Sequence, residues 1–176
     1  MPPYDPKFWP SCLITYLTLD AARIKKGENN EDLQHQCHSW INLCAFLARC
    51  IEVGLLKPCG EGCWYPLYDI PKGLQVDHPV EAIRKCYLTV AAQYVLLAGT
   101  KIYRELVAEQ LGGAGEIQAG LDKWLRWKEK LKEVADSEGT GSELGGMALK
   151  AHRKMGSIRY DRYHSGRPVG NYVTHW

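Results

Sequence analysis

At 176 residues the chain holds one hydrophobic core and is too short for two comfortable domains. Apolar residues make up 45% and charged residues 24%, a balance that excludes wholesale disorder, and a net charge of +2 by itself implies no partner. No stretch approaches the roughly 20 continuous apolar residues of a membrane span, and the opening Met1-Pro-Pro-Tyr-Asp-Pro-Lys7 lacks the apolar segment of a secretory signal.

Seven cysteines are an odd number for a disulfide scaffold, and Cys37, Cys44 and Cys50 fall within a helical pattern as small hydrophobes. Reduced thiols in a cytoplasmic protein are the expectation. The aromatic set is skewed toward ten Tyr and six Trp against two Phe, so much of it carries a polar group that wants a partner when buried. Charge is unevenly spread. Residues 150–176 carry six Lys/Arg against one acid, Asp161, which leaves a mildly acidic body before a basic tail.

In chain order, residues 1–10 read as a Pro-rich extended arm. Ser11 caps a first predicted helix to about Lys26, with Leu13, Leu17, Ala21 and Ile24 on one face. A second helix spans 30–53, capped by Asn30 and followed by Gly54. Leu33, Cys37, Trp40, Cys44, Leu47, Ala48 and Ile51 form its apolar stripe. Arg49 is its one Lys, Arg, Asp or Glu between Gln34 and Ile51, so the helix is expected to be covered on both sides. Residues 54–66 read as a loop, and 67–75 as a helix broken by Pro71.

Pro79 opens a long helix over 79–111, on which Ile83, Tyr87, Ala91, Tyr94, Ala98, Ile102 and Leu106 recur at helical spacing. Its stretch 86–98 holds no charge, and Gly99 marks a bend. A further helix runs from Ile117 to about Ala135. Residues 136–146 have the composition of a flexible linker, Met147–Met155 form a short helix, and residues 156–176 form a basic, Tyr-rich tail without helical period. The fold expected is all-α: a single-domain bundle of about five to seven helices over residues 1–155, with 30–53 and 79–111 as a central pair.

Four groups of residues are candidates for function. His38, Asn42 and Arg49, with His35 nearby, lie opposite the apolar stripe of helix 30–53. If covered, they line a pocket, with His38 and Arg49 as catalytic groups. The alternative is that Arg49 reaches solvent and the histidines satisfy carbonyls. Gln93, with Thr89, sits in the uncharged stretch and either orients a ligand or bridges helices. Around these, Trp40, Asn42, Tyr68, Tyr94 and Tyr103 suit an apolar pocket with a few orienting groups.

Cys59 and Cys63, with His35, Cys37 and His38, are the residues from which a zinc site would be built. The C-x3-C spacing is at the edge of the usual structural knuckle and no second CxxC exists, so no metal is expected. Arg159, Tyr160, Arg162, Tyr163 and Arg167 interleave cations with rings, yet five net charges are few for a nucleic-acid protein and none is expected to bind. The sequence contains no GxGxxG, Walker A, HExxH, GxSxG or CxxCH, so no cofactor is expected.

Ser39-Trp-Ile-Asn-Leu-Cys-Ala-Phe-Leu-Ala-Arg49, then Leu67-Tyr68, Val90-Ala-Ala-Gln-Tyr94, Ala98-Gly99, Tyr103 and Trp124 to Lys128 follow in an order that resembles the DUF3632 family of fungal helical proteins. The likeness covers about residues 35–130. Cys44 departs from it where a polar residue is expected, and Pro71 where a helix is continuous. The resemblance carries over no catalytic residue and implies a fungal cytosolic protein of specialised metabolism. Two function classes stay open: a binder of an apolar small molecule, as a cofactor-independent isomerase, cyclase or lyase if it is an enzyme, and a non-catalytic protein-interaction module. No membrane partner is expected, and a homodimer is compatible with either class.

Overall fold

A computed structural model describes residues 30–57, 65–108 and 114–164. Every regular element among them is a helix: α1 (Asn30–Glu52), α2 (Tyr65–Gln75), α3 (Glu81–Ala108), α4 (Ala114–Glu138) and α5 (Glu143–His164). The helix expected over 11–26, the Cys59/Cys63 loop and the end of the tail lie outside the described residues.

The charge-free stretch of α3 accounts for its position. Cys86, Tyr87, Leu88, Val90, Ala91, Ala92, Tyr94, Val95 and Ala98 are all buried, and α3 packs against each of the other four helices. Small residues let the neighbours come close. At Gly73 of α2, a Cβ would collide with the carbonyl oxygen of Tyr87 and meet Ala91 Cβ at 3.1 Å. At Gly99 it would lie 3.2 Å from Ile158 Cδ1 of α5. Gly99 therefore marks a helix crossing, and α3 continues helically through it.

Helix α1 lays Leu33, Cys37, Trp40, Cys44, Ala48 and Ile51 against α3 and is closed just beyond Glu52 by Gly54, whose φ of +80° turns the chain so that Leu55 N–H donates to Cys50 O at 2.8 Å. Its other side is solvent-facing, with His35, His38, Asn42 and Arg49 all exposed. The expectation of a helix covered on both sides is thus corrected. A face without Lys or Glu was read as a buried face, but His, Gln, Ser and Asn are neutral groups that water satisfies equally well.

Three boundaries also differ from expectation. Pro71 does not break α2, which stays helical through it; Ile70 and Leu74, both buried, hold the segment against α3 despite the missing donor. Residues 136–146 are not a linker. Helix α4 runs to Glu138, Gly139 turns with φ +76°, and Ser142 Oγ accepts from Gly145 N–H at 3.0 Å as the cap of α5. Helix α5 then runs on to His164, so Arg159–His164 are helical where no period was seen. Its buried face is Leu144, Ala148, Ala151, Met155 and Ile158. Arg84 of α3 pairs bidentately with Glu81 at 2.7 and 2.9 Å and reaches Glu138 of α4, tying two helix ends together.

Candidate functional site

Pro66, Asp69, Ile70, Gly73 and Leu74 form the inward face of α2, at the spacing of one helical stripe. Asp69 is the single buried charged side chain among the described residues, 2% exposed. It faces the junction of α1 and α3, where Tyr94 and Cys44 are its titrating neighbours, 0% and 1% exposed. Burial pushes the Asp69 carboxyl up to about 7, with Lys72 and then Tyr94 pulling the other way. Burial likewise pushes the Tyr94 hydroxyl up, reinforced by Cys44 and Asp69, so Tyr94 holds its proton. The Cys44 thiol is raised by burial and by Asp69 and stays neutral.

Asp69 Oδ2 and the Tyr94 hydroxyl have no hydrogen-bond partner among the described residues. The two groups are near enough to influence each other's titration, yet no bond of ordinary length closes on either atom. An orphaned polar atom in a dry interior costs about 1–3 kcal/mol. Two of them in one place make a site with unused bonding capacity: an acceptor whose proton occupancy changes near neutral pH, beside a donor that does not ionise.

The outer edge of this site is aromatic and cationic. Lys72 Nζ stands 4.6 Å from the Tyr87 ring centre and 5.4 Å from that of Tyr68. Burial lowers the Lys72 ammonium's affinity for its proton, but Tyr87, Tyr68 and Asp69 together outweigh that and leave it raised. His78 stacks on Tyr87, with centroids 4.7 Å apart, and its Nε2 lies 2.9 Å from the Lys72 carbonyl.

Of the residues singled out in the sequence, Tyr94 is in the site and Tyr68 is at its edge, 63% exposed. Trp40 is buried in α1 with its indole N–H unpartnered among the described residues. Gln93 is half-buried and its Oε1 is likewise unpartnered. Tyr103 packs at the far end of α3, its ring 5.1 Å from Trp124. His38, Asn42 and Arg49 share the solvent side of α1, whereas Cys44 is on the buried side, so the structure does not bring them to Asp69. Among the described residues no three of His, Cys, Asp and Glu are grouped to hold a metal ion, and no helix is long and apolar enough to cross a membrane.

Asp69 itself escaped sequence reasoning. Its signal was an acid at an apolar position, between Pro66 and Ile70, and it is visible only once α2 is read as continuous through Pro71. No curated protein and no solved structure matches the chain. A family model described as a protein of unknown function, DUF3632, matches residues 5–131, a span that contains Cys44, Asp69 and Tyr94. With that span covering most of its length, the chain belongs to the DUF3632 family.

Proposed function

We propose that this protein binds a small, largely apolar molecule at the junction of α1, α2 and α3 and acts on it as a cofactor-independent isomerase or cyclase. One observation carries the reading: a buried carboxyl oxygen and a buried phenol hydroxyl share a site and both lack a partner among the described residues. A ligand carbonyl would accept from the Tyr94 hydroxyl, while Asp69 would take a proton from the adjacent carbon and return it elsewhere. No cofactor enters this scheme, and the proposed setting is the cytoplasm of a fungal cell, in specialised metabolism.

The test is native mass spectrometry of purified wild type and Asp69→Asn for a co-purifying organic molecule, followed by thermal melts with whatever is found. The expectation is a ligand on the wild type that is lost from Asp69→Asn, with the variant still folded. A wild type that carries no organic mass, and whose melt no candidate ligand shifts, ends the proposal.

A second reading, a non-catalytic interaction module, rests on a different face. Asn42, Phe46, Arg49 and Val53 follow one another along the outer side of α1 and its end, with Phe46 59% and Val53 71% exposed. Apolar groups in that setting suit a protein partner, a second copy of the chain included. Light scattering on Phe46→Asp is the check: if the wild type is a dimer through this face, the variant becomes monomeric at the same concentration, and an unchanged mass removes the reading.

A further inference from the structure

We infer that Cys37 of α1 and Cys86 of α3 are an oxidation site, a thiol pair that peroxide converts to a disulfide joining the two helices. The thiols meet where α1 crosses the first half of α3. Cys86 Sγ lies 3.7 Å from the Cys37 carbonyl oxygen, and Cys37 Sγ lies 3.9 Å from the Ala82 carbonyl oxygen, one turn before Cys86. Each cysteine therefore reaches across the interface to the other's backbone turn. The two thiols are also near enough to influence each other's titration.

The four described cysteines are not equivalent. The neighbouring Cys86 thiol lowers the Cys37 thiol, outweighing burial, whereas Cys86 and Cys44 are both raised. These directions suit Cys37 as the attacking sulfur and Cys86 as the resolving one. Cys37 is also the more accessible, 7% exposed against 2% for Cys86, and its neighbours Gln36 and His38 are exposed. An oxidant as small as hydrogen peroxide suits that degree of access.

The chemistry balances in two steps. The Cys37 thiolate attacks one peroxide oxygen, the O–O bond breaks, and the departing hydroxide takes up a proton as water, leaving a sulfenic acid on Cys37. Cys86 sulfur then attacks Cys37 sulfur, the S–O bond breaks, and the hydroxide leaves as water with the Cys86 proton. Two thiols are oxidised and one peroxide is reduced to two waters. The new bond locks α1 against α3 about two helical turns before Cys44 on α1 and Tyr94 on α3.

The experiment treats full-length reduced protein with hydrogen peroxide and maps the products by peptide mass spectrometry. The expected product is a Cys37–Cys86 peptide lacking two hydrogen atoms. Closing a loop between residues 49 apart should raise Tm by roughly 10 °C, reversibly with dithiothreitol. In Cys86→Ser the oxidation should stop at a Cys37 sulfenic acid that dimedone traps. Cys37 remaining a free thiol in the wild type, or pairing with a different cysteine, overturns the proposal. The wild-type map decides the matter even if the variant does not fold.

Discussion

Asp69 gives the fold a pH dependence of unusual sign. Its folded carboxyl is raised to about 7, whereas an unfolded aspartate titrates near its ordinary value of about 3.9. The folded state therefore holds a proton that the unfolded chain releases, and ionising the buried group costs stability. That cost is absent below the unfolded value, grows as pH rises through the interval, and levels off above about 7, at about 4 kcal/mol. Chemical denaturation between pH 5 and 8 should show stability falling as pH rises. Asp69→Asn, which carries no charge to desolvate, should flatten that slope. A wild-type profile rising across the same range, or an unchanged slope in the variant, would contradict the assigned environment. Removing the carboxyl is in this sense expected to stabilise the empty protein above neutrality while abolishing its proposed chemistry.

At the scale of elements, the contact of α2 with α3 turns on Gly73. A methyl group there meets the Tyr87 carbonyl oxygen, a backbone atom that cannot swing aside as a side chain would. Alanine ordinarily favours a helix over glycine by about 1 kcal/mol, so Gly73→Ala on an isolated helix would help. Here overpacking should reverse the sign and cost about 1–3 kcal/mol net, read from urea unfolding. A neutral or stabilising result would mean that α2 can slide off α3.

The same helix explains what was legible. Apolar spacing revealed α4 and the buried stripe of α1, because burial of one face leaves a 3.6-residue period. Helix α3 instead showed itself by a charge-free run that four packed neighbours require. It did not reveal α2 as one piece, since Pro71 is a local breaker that packing of Ile70 and Leu74 overrides. Nor could it distinguish the exposed His38 and Asn42 from a covered pocket wall, as neutral polar residues are compatible with both. The site was half-visible for that reason: Tyr94 stood out on the uncharged stretch of α3, while its partner Asp69 lay in the segment misread as broken.

For the molecule as a whole, α3 is the axis and the other helices divide its surface. Helices α1 and α2 bring Cys44 and Asp69 to the part that carries Tyr94, and α4 and α5 take the rest, with Trp124, Trp127, Met155 and Ile158 buried on that side. The family match stops at residue 131, before the end of α4 and short of all of α5. Two outcomes follow for a chain cut after Glu138. If the matched span is a folding unit, residues 1–138 should melt cooperatively. The packing argues otherwise. Losing α5 would uncover the Gly99 crossing where Ile158 sits, and remove Leu144, Ala148, Ala151, Met155 and Ile158 from the core. Burying a residue such as Met contributes about 1.5–3 kcal/mol, so the three large side chains alone rival the 5–15 kcal/mol that a whole domain retains. Residues 1–138 should therefore show helical circular dichroism without a sharp thermal transition, and should bind a dye for exposed apolar surface. A cooperative melt close to that of the intact chain would make α5 an accessory to a core already complete without it.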